Sequence, residues 1–408
     1  MKKKYGSRKK RFIRKHLKKK PNLFYHSIKL SRTIKCIIIL FLLFINVNFY
    51  FYQWYLDLLP NEILESSEYK DFNEMRNNIT DNILLNTLKE ITIIKHLFVK
   101  NILLFKKFKN IIHITVSLNN DKNYKYILLV SMYSLLSNCD KRKSFIIYHI
   151  LCTPDFKEEN IEIFKSLMIK YYYEVEMIFY NMGNNFINRK NTFHSVATYY
   201  RIIAPILINS DRVIHLDGDT LTFSDLSEMY NLDFNDNYIL GVYDWMTNGI
   251  DYLGIKSNIV INSGVILLNS KKIREDNKDI ELIKMANSRI SLRNEDQTIL
   301  NYVLYPKIGR LPSKYVIPNF NDKPGILFYL NKIRTKIPIE ELEEAMKNPT
   351  IIHHVGCRPK VWYKNSAFHT LCRESHNCSC KKYFDIWHSF ARETNYYDKI
   401  AEFTGVKK

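Results

Sequence analysis

Beyond about residue 110 the chain alternates between short apolar runs and longer stretches with one apolar face. Ile111 to Leu118, Ser144 to Leu151, Glu174 to Tyr180 and Val213 to Leu216 have the length and side-chain character of buried strands. Between them, Tyr126 to Ser137, Pro154 to Tyr171 and Ser195 to Ala204 predict helices. Thr153 is the expected N-cap of the second, with Pro154 at its first position, and Pro205 is the expected stop of the third. The alternation continues with a strand at Tyr238 to Tyr243, an apolar run at Ile259 to Leu268, helices near Lys271 to Ser288 and Asp296 to Leu304, and a late strand at Ile351 to Val355. Strands separated by helices of this length imply an α/β fold, a mainly parallel sheet covered on both faces by helices.

The chain before residue 111 reads differently. Cys36 to Tyr52 is uncharged and mostly apolar and runs on into Gln53, Trp54 and Tyr55. A membrane-spanning helix needs about 20 such residues, and the aromatic cluster at its far end fits a membrane interface. Residues 36–55 are therefore expected to form a signal-anchor helix. Residues 56–110, rich in Asn and Lys, carry Ile91, Ile94, Leu97 and Val99 at near-helical spacing and predict a helical stem, through which two copies could dimerise.

Charge sharpens this division. The formal net charge of +20 suggests a nucleic-acid binder until the charges are located. Residues 1–35 hold 15 of the 61 Lys and Arg and no acid, leaving 46 basic against 41 acidic residues elsewhere. The basicity is a local tail beside the apolar segment, which makes lipid head groups better partners than nucleic acid. The positive-inside rule then puts residues 1–35 in the cytoplasm and residues 56–408 across the membrane, as in a single-pass type II protein of the Golgi or ER with a luminal domain. Cys139, Cys152, Cys357, Cys372, Cys378 and Cys380, with the sequons at Asn78 and Asn377, suit that compartment and predict disulfides over a zinc site. Residues 368–408, with Trp387, Phe390 and Tyr397, predict a covering helix.

The candidate chemistry begins at Val-Ile-His-Leu-Asp-Gly-Asp, residues 213–219. Asp217 and Asp219 sit beyond the carboxyl end of a strand, where open α/β sheets meet ligands. Two like charges held together call for a cation, and a divalent ion with oxygen ligands is the simplest one. The same residues also describe a solvated Asp-Gly turn.

With this pair in place, several ordered motifs between residues 111 and 365 resemble those of family 8 glycosyltransferases, the retaining, nucleotide-sugar-dependent group. Val-Ser-Leu-Asn-Asn-Asp-Lys-Asn-Tyr at 116–124 is similar to the family's nucleotide loop, with Asn119 or Asn120 where an aspartate is common and Tyr124 as the residue packing on the base. Arg201, in Ala-Thr-Tyr-Tyr-Arg, resembles the arginine that reaches the donor. Asp217 and Asp219 resemble the metal-binding pair, and His353 in Ile-Ile-His-His-Val-Gly the third metal ligand. Asn262 and Ser263, before Gly264, resemble an Asn-Ala-Gly donor-sugar contact. Asp296 and Gln297 resemble the acid that holds sugar hydroxyls and the amide beneath the anomeric carbon. Gly356 with Arg358 or Lys360 resembles a diphosphate clamp.

The resemblance implies a GT-A type nucleotide-diphospho-sugar transferase fold over residues 111–408, a UDP-sugar donor, and a glycan, glycoprotein or glycolipid acceptor. It also implies Mn²⁺ as cofactor with Mg²⁺ as the alternative. A carboxylate would serve as the nucleophile of a double displacement better than an amide, so Gln297 points to front-face transfer. Two other readings compete. A phosphotransferase with an Asp-x-Asp-Gly-Thr motif would carry its glycine after the acids, not between them. A non-catalytic nucleotide-sugar binder on the same fold would have no need of the intact acid pair, histidine and Asp296–Gln297.

Overall fold

The structure is a computed structural model that describes residues 81–97, 110–171, 175–187, 195–244, 260–288, 294–318, 337–355 and 379–406, with positions 189, 253–255, 292, 360, 362 and 363. The chain divides into two units, residues 1–64 and 65–408, and every described residue lies in the second.

Eleven described strands form two sheets. They are β1 (Thr92–Leu97), β2 (Asn110–Leu118), β3 (Ser144–Cys152), β4 (Val175–Asn181), β5 (Val213–Leu216), β6 (Thr220–Thr222), β7 (Ile239–Tyr243), β8 (Ile261–Leu268), β9 (Ile308–Arg310), β10 (Val316–Pro318) and β11 (Ile351–His353). The large sheet runs β1-β4-β3-β2-β5-β8-β7-β9 and the small one β10-β11-β6. β4, β3, β2 and β5 are parallel neighbours. β8 enters antiparallel between β5 and β7.

Alternation along the strands builds a core on each face. Ile112, Ile114 and Val116 of β2 and Ile146, Tyr148 and Ile150 of β3 pack against the helices Tyr124–Asn138 and Ile161–Tyr171. Phe145, Ile147 and Leu151 face the other way, toward the segment Val196–Ile202 and the helices Asn82–Lys89, Lys278–Asn287 and Glu295–Val303. Each fully buried Leu, Ile or Phe contributes about 1.5–3 kcal/mol against its exposed state.

Three local expectations change. The helix predicted from Pro154 starts at Ile161, after a 3-10 turn at Glu158–Asn160. Pro154 sits instead in a turn closed by the Phe156 N–H donating to the Thr153 carbonyl, and proline's fixed φ suits either place. The helix predicted over 195–204 is a 3-10 helix, Val196–Ile202, capped by Ser195. Pro205 does not end it but lies in the first turn of the next helix, Ala204–Leu207, where no N–H is needed. Near-helical spacing at Ile91, Ile94 and Leu97 belongs partly to a strand, since β1 pairs antiparallel with β4. A bulge between Ile93 and Lys95 adds one residue, which turns a period of two into three and puts Ile94 and Leu97 against the same core.

The C-terminal cover is two helices, Ser379–Arg392 and Tyr397–Thr404. Trp387, Ala391 and Ile400 pack with Trp362 onto Ile127, Val130 and Leu221. Cys139 and Cys152 are thiols and not half-cystines, so the expected disulfides do not include them. Cys357, Cys372 and Cys378, and the Cys380 side chain, lie outside the described residues. No helix among the described residues is long and apolar enough to cross a membrane. The expected anchor at 36–55 and the tail at 1–35 lie outside them.

Candidate active site

The strand order reverses between β2 and β5: β3 and β4 continue to one side of β2, and β5 lies on the other. Such a switch point opens a crevice beyond the carboxyl ends of the strands. Asn119 and Asn120 follow β2 there, and Asp217 follows β5.

Register brings the rest of the acid site together. The antiparallel pairing of β5 with β8 sets Leu216 against Val265, and the Asp217 N–H then donates to the Gly264 carbonyl at 2.7 Å. β6 starts directly after Asp219 and pairs with β11 so that Thr220 faces His353. The His354 N–H donates to the Asp219 carbonyl at 3.0 Å. His353 Nε2 thus stands 3.5 Å from Asp217 Oδ2 and 3.2 Å from Asp219 Oδ1. One ligand atom from each of Asp217, Asp219 and His353 can be chosen with all three within 4.8 Å of one another.

Gly264 explains why the three can converge. A Cβ there would fall 2.5 Å from Asp217 Oδ2 and closer still to His353 Cε1, so any side chain would fill the space between these two groups. Hard carboxylate oxygens with one imidazole nitrogen suit a divalent first-row ion. The residues present fit a metal.

Arg201 joins this acid group to a second one. Its Nη2 donates to Asp217 Oδ1 at 2.9 Å, its Nη1 to the Ser263 carbonyl, and its Nε faces both the Thr198 carbonyl and Asp296 Oδ2 at 3.0 Å. All three guanidinium nitrogens therefore face protein acceptors. Asp296 also accepts from Ser263 Oγ at 3.1 Å. It lies in the first turn of Glu295–Val303 but does not cap it. Its neighbour Gln297 accepts at Oε1 from Asn262 Nδ2 and from the Ser263 N–H, both at 3.2 Å, and donates from Nε2 to Asp244 Oδ2 at 2.8 Å.

The remaining expected residues divide. The Tyr124 hydroxyl accepts from the Gly218 N–H at 3.2 Å, so this ring sits against the turn between the acids. Asn119 Oδ1 accepts from the Asp121 N–H, while Asp121 Oδ1 accepts from the amides of Asn123 and Tyr124 and holds the start of the following helix. Asn120 lies half-buried in the same loop. Lys360 Nζ donates to Asp219 Oδ2 at 2.6 Å and to the His354 carbonyl at 2.8 Å. Gly356 and Arg358 lie outside the described residues.

Charge is tuned in opposite directions across the site. For Asp217, burial pushes upward, but Arg201 together with His215 and His353 holds the carboxyl well below the usual range. Asp219 is likewise lowered, burial being outweighed chiefly by Lys360 and His353. His353 rises to about 9, because the two carboxylates outweigh its burial. Asp296 goes the other way, to about 6: burial raises it, Arg201 opposes, and Asp217 adds to the rise.

Two residues escaped the sequence reading. Asp244 directly follows β7, the position that singled out Asp217, but it stands alone without a second acid. Asn301, one helical turn after Gln297, bonds both the N–H and the carbonyl of Ile261 and so fixes the helix against β8. Its signal was a single amide in an otherwise apolar stretch.

The family described as "Glycosyl transferase family 8" matches residues 115–366. A "putative glycosyltransferase" of Haemophilus influenzae is 26% identical over 266 residues, covering 62% of this chain and 74% of that protein. The "lipopolysaccharide 1,3-galactosyltransferase" of Salmonella typhimurium is 26% identical over 268 residues, 61% of this chain and 72% of that one. Among solved structures, the galactosyltransferase LgtC in complex with donor and acceptor sugar analogues aligns over 70% of this chain and 96% of its own, with a TM-score of 0.53 and 18% identity, which shows a shared fold. Both curated relatives are bacterial. The expectation of a single-pass Golgi or ER membrane protein is not upheld: these relatives are bacterial glycosyltransferases, and no helix among the described residues is long and apolar enough to cross a membrane.

Proposed function

The chain belongs to glycosyl transferase family 8, and on that premise we propose that it moves a hexose or a related sugar from a UDP-sugar to a hydroxyl of a glycan, glycoprotein or glycolipid, with retention of configuration. The observation that carries the reading is the meeting of Asp217, Asp219 and His353 at the switch point, bridged through Arg201 to the Asp296–Gln297 pair. One group suits a metal diphosphate and the other a sugar. A galactosyltransferase among the relatives supports a hexose donor.

Asp217, Asp219 and His353 would hold Mn²⁺, or Mg²⁺ in its place; the histidine favours Mn²⁺. Such an ion neutralises charge that grows on the UDP leaving group, an effect of several kcal/mol. Lys360, at Asp219, adds a second positive charge beside the same carboxylate. Asp296 is ionised at neutral pH despite its burial and can accept from sugar hydroxyls while Arg201 fixes its direction. Gln297 is tied at both ends of its amide, and an amide is a poor nucleophile beside a carboxylate. These features support front-face transfer. The bond from the anomeric carbon to the β-phosphate oxygen breaks, the bond to the acceptor oxygen forms on the same face, and the acceptor proton passes to the departing phosphate.

The test is UDP release by the full-length protein with Mn²⁺ from UDP-glucose, UDP-galactose, UDP-xylose and UDP-glucuronate. Release from one donor, abolished by EDTA and by Asp219→Ala, is the expected result. No release from any donor, with no binding of any by calorimetry, would sink the proposal.

A further inference from the structure

Strand β5 is wholly buried, and its third residue is His215, flanked in the strand by Val213, Ile214 and Leu216. An imidazole in a core costs free energy unless both nitrogens find partners. Here both do. Thr115 of β2 is the register partner of His215 across the switch point, and Thr115 Oγ1 lies 3.0 Å from His215 Nδ1, nearer than its 3.5 Å to the Ile214 carbonyl. A hydroxyl that donates to Nδ1 leaves the ring proton on Nε2. Two residues on, along the same side of the strand, Asp217 Oδ1 lies 3.4 Å from that Nε2. The same oxygen accepts from Arg201, whereas Oδ2 faces His353.

We propose that the buried pair Thr115 and His215 positions the Asp217 carboxylate, holding Oδ1 inward together with Arg201 so that Oδ2 is the oxygen presented to a divalent cation. This rests on the reading of Asp217, Asp219 and His353 as metal ligands. Thr115 acts through His215, and His215 through Asp217; neither touches the ion or the donor. A carboxylate already held in its binding orientation loses less rotational freedom when the ion arrives. A histidine serving the core alone would have no reason to place Nε2 against a ligand carboxylate, since an apolar residue fills such a site without any polar cost.

The test titrates Mn²⁺ into the metal-free full-length protein and reads the free ion by its paramagnetic resonance signal. Outer-shell partners of metal ligands are typically worth about 10–100-fold in affinity. Thr115→Val keeps the shape of the side chain and removes the hydroxyl; it should weaken Mn²⁺ binding about 10-fold, and Thr115→Ser should restore it. His215→Phe should weaken binding by at least as much, and His215→Gln, which keeps a donor, should recover part. Thermal unfolding of the metal-free variants reads packing separately. A role confined to packing would lower the melting temperature of Thr115→Val and leave its Mn²⁺ affinity unchanged, and that result would overturn the proposal even if His215→Phe failed to fold. Absence of Mn²⁺ binding by the unaltered protein would overturn the metal reading and the proposal together, whereas normal binding with unaffected variants overturns the proposal alone.

Discussion

The two halves of the site are built on opposite plans. Around Asp296 and Gln297 the polar atoms are spent on one another: Ser263, Asn262, Asp244 and Arg201 take up the carboxylate and both ends of the amide. Around Asp217, Asp219 and His353 the contacts among the three are long, 3.2 and 3.5 Å, and Gly264 keeps a side chain out of the space between them. The first half is preorganised by the protein alone. The second is arranged about a gap that an ion would close, with Arg201 and Lys360 balancing its two carboxylates from outside that gap. Preorganised polar groups cost nothing to arrange at the moment of reaction, which suits the role proposed for that half, the holding of a sugar.

The sharpest way to break this contrast is to fill the gap. Gly264→Ala places a methyl between Asp217 Oδ2 and His353, where no neighbour can yield without moving a ligand. UDP release should fall by about 100-fold or more, as for a 1 Å misplacement, and Mn²⁺ affinity should fall with it. Unchanged Mn²⁺ binding in this variant would mean that the ion, if any, lies elsewhere. Gln297→Ala attacks the preorganised half and should give a smaller, different result. Removing the amide deletes bonds to Asn262, Ser263 and Asp244. A stability loss of about 1–3 kcal/mol is expected, readable by denaturant titration. The turnover rate should drop by roughly 10–100-fold through lost positioning. Mn²⁺ affinity should stay as it was, and a parallel loss of Mn²⁺ binding would show that the two halves are one unit.

The same contrast explains what was legible in the sequence. Elements with strong periodicity were read closely, Val213–Leu216 without error, because a central strand buried on both faces leaves a short, mostly apolar run. Asp217 and Asp219 were visible because local spacing alone places them together. His353 stands well over a hundred residues away and joins them only through the pairing of β6 with β11, so no local pattern could reveal it. Only its place in the ordered family motifs marked it. Asp244 and Asn301 stayed hidden for a related reason: each is one polar residue whose meaning depends on a partner from another element. The bulge in β1 misled the reading of Ile94 and Leu97 by imitating a helical period. The sequence predicts a helix over 195–204 without its type, and the segment Val196–Ile202 is 3-10, because three- and four-residue repeats are indistinguishable over so short a length.

The smallest expected effect is also the one that separates site chemistry from unfolding. Asp296 is raised to about 6 from 3.8, by burial first, with Arg201 opposing and Asp217 adding to the rise. Turnover should therefore fall along an acidic limb centred near pH 6, as Asp296 takes up a proton and ceases to be a full acceptor for sugar hydroxyls and Arg201. For stability the sign is reversed. The folded state binds this proton more tightly than the unfolded chain, so the contribution of this carboxyl is present below about pH 3.8 and is lost as the pH rises through 6. Between those values, falling pH should reduce turnover while this group makes the fold more stable, so the activity limb cannot be put down to acid unfolding through Asp296. Ser263 Oγ donates to the ionised form and holds the pKa down, so Ser263→Ala should move the limb to higher pH. A pH–rate profile with no limb near 6, or one that Ser263→Ala leaves in place, would remove Asp296 from the reacting half of the site.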